Sequence, residues 1–234
     1  FFSFTVNQKN KNSSLNLNKI NSWIFDLDNT LYHPSLKIFE EIDSRMQKFI
    51  SLRLGISLKK AWTLQKEYFR KYGATLKGLM KFHQIDPKQF LNYVQKIDLE
   101  KIKVNPELKS ALAKLNGTKI VYTNSTKNYA NRILKRLGLK KSFDGIFDII
   151  DANYIPKPSY RSYKMLLKNF NLIPEESIIF EDLPQNLVPA SKLGMRTVWV
   201  KNEETQNLRN NYALSINFTT KNLTKWIQKL TRKL

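Results

Sequence analysis

The chain has 234 residues, a formal net charge of +21, no cysteine and two histidines, His33 and His83. That length can bury a core without cross-links. The lack of cysteine excludes a disulfide framework, a thiolate metal site and a thiol nucleophile. His33 and His83 are too few, and too far apart in sequence, to suggest a histidine metal centre. Both are read as ordinary structural residues, and any chemistry falls to oxygen and nitrogen.

The charge comes from 31 lysines and 9 arginines scattered along the whole chain. A nucleic-acid reader would cluster Arg with aromatic residues on one element. A solvated basic surface that draws anionic small molecules is therefore favoured over a nucleic-acid site. No apolar run reaches about 18 residues, so no membrane-spanning helix is expected. The opening segment FFSFTVNQKNKNSS has no small-residue cleavage pattern, and a cytoplasmic protein is expected.

Residues 1–21 read as a polar lead-in rich in Asn, Lys and Ser. SWIFDL at 22–27 is short, apolar on both faces and ends in acidic residues, as a central parallel strand should. Residues 34–105 contain no convincing strand and read as a helical insertion, with Ile38, Ile42, Met46, Phe49 and Ile50 on one stripe and Trp62, Leu64, Tyr68 and Phe69 on another. Both stripes are expected to be core. Strands follow at 119–123, 145–150, 177–181 and 196–200, with helices at Asn128–Leu137, Ser159–Phe170 and Leu183–Leu193 between them. Gly138 and Gly194 supply stop signals, and LTKWIQKL reads as a final surface helix. Strand alternating with helix predicts an α/β fold with a doubly wound parallel sheet. The core is expected from 22–33 and 106–234.

Ligands of such a sheet gather at the C-terminal ends of its strands, and the polar residues concentrate there. Asp26 and Asp28 follow the first strand at i and i+2, a spacing that points both into one pocket. Two carboxylates so close resist joint ionisation unless a cation neutralises them or one keeps its proton. An acidic turn after a strand would also produce this pair. Thr123 and Asn124 end the second strand, and Ser125 and Thr126 open the next helix, where an ordinary N-cap accounts for them. Lys157 is framed by Pro156 and Pro158, which favours a positioned cation. Glu181 and Asp182 repeat the acidic pair and offer oxygens suited to Mg²⁺.

FDLDNTLY at 25–32, VYTNS at 121–125, PKP at 156–158 and IFEDLPQN at 179–186 together resemble the four motifs of the haloacid-dehalogenase superfamily. The resemblance implies a Rossmann-like core and a Mg²⁺-dependent phosphatase. In it Asp26 attacks phosphorus to form an aspartyl-phosphate, and Asp28 protonates the leaving alcohol and then activates water. Thr123, with Asn124 beside it, and Lys157 hold the phosphate. Asp26, the Asp28 backbone carbonyl and Asp182 ligate the metal, Glu181 binds it directly or through water, and Asn186 supports it. Asp28 argues against the dehalogenase branch, which has no acid there. Glu181 departs from the Asp that many relatives carry.

The insertion resembles a C1-type cap. YGATLKGLM at 72–80, DNTLY and the HxID pattern at 83–86 resemble the pyrimidine 5′-nucleotidase subgroup. On that resemblance Thr75 and Lys77 are the candidates for contacts to the base, with solvated surface residues as the plain alternative and a glycine-shaped turn the other reading of the segment. Sugar-phosphate hydrolysis, general phosphatase or phosphomutase chemistry would leave the four motifs unchanged. Nucleic-acid binding through the basic surface is an alternative of another class, and the oligomeric state is open.

Overall fold

The computed structural model describes residues 19–203, 205 and 209–232. The predicted lead-in falls outside them except for its last three residues. Six strands, β1 (Ser22–Phe25), β2 (Thr118–Tyr122), β3 (Gly145–Phe147), β4 (Ser177–Glu181), β5 (Arg196–Val200) and β6 (Phe218–Thr220), form one sheet in the order β3-β2-β1-β4-β5-β6. Every pairing is parallel.

The expected α/β doubly wound sheet is present, with three differences of detail. β1 stops at Phe25 and β3 at Phe147, both short of their predicted ends. After β1, Asp26 still donates its amide to the Phe180 carbonyl of β4 while its side chain turns to Lys157, whereas Asp148 after β3 bonds away from the ladder. Asp148 accepts from the amides of Lys127, Ile150 and Asp151, which closes a turn where the strand was expected to continue. β6 was not expected at all. Its three residues carry too short a pattern to read from sequence, and they extend the sheet at the edge of β5.

The strands alternate their side chains between two apolar layers. On one face Trp23, Phe25, Val121 and Phe180 pack with α5 (Pro106–Ala113), α6 (Lys127–Leu137) and α10 (Leu223–Thr231). On the other Ile24, Ile120, Ile179 and Trp199 pack with α7 (Tyr160–Asn169) and α8 (Pro184–Lys192). A short helix, α9 (Arg209–Tyr212), precedes β6. The final helix buries Leu223, Trp226, Ile227 and Leu230, so only one side of it is surface.

Between β1 and α5 the described residues form four helices, α1 (Ile38–Leu54), α2 (Leu58–Tyr72), α3 (Thr75–His83) and α4 (Pro87–Val94), and no strand. Ile38, Ile42, Phe49 and Ile50 of α1 are buried as expected. The second stripe is only partly core: Tyr68 is buried, but Trp62 is 50% and Phe69 36% exposed. Each lies beside a cavity, Trp62 in one shared with Phe39 and Gln47 of α1, and Phe69 in another.

Two glycines set how these helices meet their neighbours. A Cβ on Gly73 would lie 2.6 Å from Pro158 Cδ, and one on Gly78 would lie 2.2 Å from Tyr68 Cγ. The glycines of the 72–80 segment therefore do more than shape a turn. They let the α2–α3 junction touch the Lys157–Pro158 loop and let α3 lie against Tyr68. Behind α4 the chain returns to the core under two arginines of α6. Arg132 donates to the carbonyls of Gln95 and Ile97, and Arg136 to those of Leu99 and Glu100.

Candidate active site

The sheet order reverses direction around β1, which leaves a crevice at the C-terminal ends of β1, β2 and β4. In register, Phe25 stands opposite both Val121 and Phe180. Asp26 follows at once, and its amide donates to the Phe180 carbonyl at 2.9 Å. That places it level with the ends of the neighbouring strands, where Tyr122 and Glu181 sit.

Lys157 enters this crevice from the loop before α7 and is 2% exposed. Its Nζ lies 2.6 Å from Asp26 Oδ1, 2.7 Å from Glu181 Oε2 and 3.2 Å from the Tyr122 carbonyl. Asn124 fixes the backbone behind it: its Oδ1 accepts from the Lys157 amide at 2.8 Å and its Nδ2 donates to the Lys157 carbonyl at 3.3 Å. Thr123 is buried, and its hydroxyl oxygen accepts from the Ser125 amide at 3.0 Å.

Asp26, Glu181 and Asp182 each offer one carboxylate oxygen, and these oxygens lie within 4.8 Å of one another. Three buried carboxylates against one ammonium leave two negative charges uncompensated. The imbalance acts on each group's protonation. Burial first, then the Glu181 charge, pushes Asp26 up to about 7 despite Lys157. Asp182 is held well above the ordinary carboxylate range by burial and by the charges of Glu181 and Asp26. Burial works against the Lys157 charge, but Asp26 and Glu181 outweigh it and raise that group. A hard divalent cation would cancel the excess charge and keep the carboxylates ionised, so the donor set fits one.

Asp28 stands apart from that cluster. Its Oδ1 accepts from Tyr32 Oη at 2.6 Å and from Tyr129 Oη at 2.9 Å, and its Oδ2 from Ser125 Oγ at 3.3 Å. Burial raises its carboxyl above the ordinary value, and these hydroxyl donors oppose the rise. Sequence reasoning missed all three partners. Tyr32 and Ser125 lie inside the quoted motifs, but Tyr129 reaches Asp28 from 101 residues away, and only the fold brings it there. Thr126 is the N-cap of α6, as expected, and also donates to Gln95 Oε1 at 2.6 Å.

A cavity of about 300 Å³ opens above these groups towards α1–α4, and Asp26, Asp28, Thr123, Asn124, Lys157, Glu181, Asp182 and Asn186 all line it. So do Thr75 and Lys77. Thr75 is buried and donates its hydroxyl to the Gln65 carbonyl at 3.2 Å, whereas Lys77 is exposed. Asn186 is held in place through its backbone carbonyl, which accepts from Tyr163 Oη. The two histidines stay outside: His33 caps a 3₁₀ turn, and His83 shares a hydrogen bond with Tyr68.

A parallel sheet with acidic residues at the ends of two adjacent strands, and a buried lysine between them, marks an α/β protein with a charged centre at the switch point of its sheet. The haloacid dehalogenase-like hydrolase family matches residues 20–194, and the chain belongs to that family. It is similar to Phosphate metabolism protein 8 of Saccharomyces cerevisiae, at 31% identity over 191 residues, covering 74% of this chain and 59% of that one. The chain thus spans about three fifths of that relative's length. It is also similar to a glyceraldehyde 3-phosphate phosphatase of Pyrococcus furiosus, at 23% identity over 93% of this chain and 95% of the other. Among solved structures, the HAD phosphatase of Thermococcus onnurineus superposes with a TM-score of 0.59 at 19% identity, covering 90% of this chain and 98% of that one. That likeness shows the fold. No helix among the described residues is long and apolar enough to cross a membrane.

Proposed function

We propose that the chain is a phosphomonoesterase that works through an aspartyl-phosphate and acts on pyrimidine nucleoside 5′-monophosphates. The observation that carries the chemistry is the buried Lys157–Asp26 pair at 2.6 Å, set in a surplus of carboxylate at the floor of a cavity. In this reading an Asp26 oxygen attacks phosphorus, and the bond from phosphorus to the leaving oxygen breaks. Asp28, protonated at that moment, gives its proton to the leaving alkoxide. Its carboxylate then takes a proton from water, which attacks phosphorus, releases inorganic phosphate and restores Asp26.

Lys157 and Thr123 hold the phosphate, with Asn124 setting the height of the lysine. Tyr32 and Tyr129 occupy Asp28 Oδ1 and leave Oδ2 the less engaged oxygen for proton transfer. Asp26, Asp182, Glu181 and the Asp28 carbonyl would hold Mg²⁺, with Asn186 in support. When bound, that ion supplies charge stabilisation to the phosphoryl oxygens. Residues 34–105 are read as a cap over the core formed by 22–33 and 106–234, and Thr75 and Lys77 as cap residues near the leaving group.

The nucleotide preference draws on the motif resemblance at 72–80 and 83–86. A second reading, a phosphatase of small phosphorylated carbohydrates, is favoured by the likeness to the Pyrococcus furiosus protein. A screen of phosphate monoesters with Mg²⁺ and with excess chelator separates the two. CMP or UMP is expected to exceed AMP, GMP and triose phosphates in kcat/KM, and chelator to stop turnover. Asp26→Asn is expected to abolish turnover with the fold retained, because an amide of similar size is a poor nucleophile. Activity persisting in purified Asp26→Asn protein would overturn the mechanism, and equal rates on all esters would overturn the substrate.

A further inference from the structure

The cavity wall on the side of α1 and α2 holds one polar atom whose bonding is incomplete. Gln65 is 2% exposed and lines the cavity. Its Nε2 donates to Asp43 Oδ1 at 2.7 Å and to the Asp43 carbonyl at 3.2 Å. Both of those atoms only accept, so the amide cannot be turned end for end. Its Oε1 is left buried with no partner.

The neighbours sharpen what can satisfy it. Lys66 Nζ lies 2.8 Å from each Asp43 carboxylate oxygen, so this pair compensates itself and adds no net charge to the wall. Phe39, Phe69 and Met46 line the same cavity. An apolar, partly aromatic wall with a neutral polar spot and one unmet acceptor suits a flat, uncharged group that carries an N–H or O–H. A second carboxylate or phosphate would find no donor at Gln65.

We infer that Gln65 is a specificity-determining residue, whose Oε1 accepts a hydrogen bond from the N–H on the edge of a pyrimidine base in the leaving nucleoside. This rests on the nucleotide reading above and deepens it. Cytosine offers its exocyclic amino group and uracil its ring N–H, and either completes the bonding of the amide. A substrate without such a donor leaves the acceptor buried and unpaired, which a hydrogen-bonding site penalises strongly.

The test compares kcat/KM for CMP, UMP and the ribonucleoside 5′-monophosphate of pyrimidin-2-one, in the full chain with Mg²⁺ present. The last keeps ring, ribose and phosphate but has no N–H on its base. CMP or UMP is expected to exceed it by about 10- to 100-fold in the wild type. Gln65→Met and Gln65→Leu, checked for folding by circular dichroism, are expected to bring that ratio to within about threefold. A wild-type ratio near one overturns the inference, whatever the variants do, and so does a preference that survives in folded Gln65→Met. Turnover of phenyl phosphate with neither CMP nor UMP cleaved overturns the nucleotide reading and this inference with it. Turnover of CMP at the same rate as the analogue overturns this inference alone.

Discussion

Gly73→Ala is a one-carbon change in the α2–α3 turn that should be felt at Lys157. Gly73 has φ +80°, and its missing Cβ would stand 2.6 Å from Pro158 Cδ and 2.9 Å from the Lys157 carbonyl oxygen. The left-handed backbone costs an alanine about 1–2 kcal/mol. The overlap adds a separate cost. Carbon atoms rest about 3.5–4.0 Å apart, so the turn or the Lys157–Pro158 loop must give way by about 1 Å. Forced packing of that kind costs about 1–3 kcal/mol, for a combined loss of about 2–5 kcal/mol. The loop carries the ammonium that pairs with Asp26, and a misplacement of about 1 Å at a reacting centre can lower turnover about 100-fold.

Gly55→Ala separates the two costs. Gly55 has φ +62° and nothing within 4 Å of an added Cβ, so it carries the backbone strain without the overlap. Urea unfolding followed by circular dichroism should place Gly55→Ala about 1–2 kcal/mol below wild type and Gly73→Ala further below. Phenyl phosphate turnover should fall only in Gly73→Ala. Equal stability and equal turnover in the two variants would refute the reasoning, because it would mean the α2–α3 turn does not press on the lysine loop.

Lys157→Met removes the donor shared by Asp26 Oδ1 and Glu181 Oε2. Breaking a buried pair from one side costs about 3–5 kcal/mol, to be read as a lower urea midpoint in excess chelator, and turnover should be lost. The deficit should grow with pH. Asp26 already sits at about 7 when folded, above an unfolded value of about 3.9, so its ionisation destabilises the fold as pH rises through that window. Loss of the ammonium lifts it further, and a deficit that shrinks between pH 5 and pH 8 would contradict the assignment. Saturating MgCl₂ at pH 8 is expected to raise the melting temperature of the wild type, and Asp182→Asn to remove that rise. A wild-type melting curve unmoved by MgCl₂ would count against the acidic cluster as a cation site.

The sheet was legible because its central strands are buried on both faces and therefore written as continuous apolar runs. SIIF and RTVWV leave no other reading once Gly194 marks the helix end between them. What failed were the edges. β6 has only three residues, fewer than any periodicity can register. β3 ends at Asp148, whose amide and carboxylate take up local bonds, and β1 ends at Phe25 although the Asp26 amide still reaches the Phe180 carbonyl of β4. Trp62 and Phe69 share a helical stripe with Tyr68, but a stripe says only that residues face one way. Whether that side meets a core, a cavity or solvent depends on helices that are placed by tertiary packing.

The candidate site was legible where each group follows a strand, because the crevice of a parallel sheet collects whatever stands at the strand ends. Asp26, Thr123 and Glu181 could be grouped on that ground, and Lys157 by the prolines that frame it. The groups that orient them could not. Tyr129 reaches Asp28 from the first turn of α6, and nothing in the motif around it marks a hydroxyl as needed. Gln65 is a plain mid-helix glutamine in sequence. Its meaning arises only because α1 brings Asp43 to its Nε2, from 22 residues away, which forces Oε1 to be the atom left over. Thr75, chosen from the motif, turns out to have its proton engaged by the Gln65 carbonyl, so it can only accept from a substrate unless that bond breaks. Two acceptors on this wall, Gln65 Oε1 and the Thr75 hydroxyl oxygen, select a leaving group by what it donates.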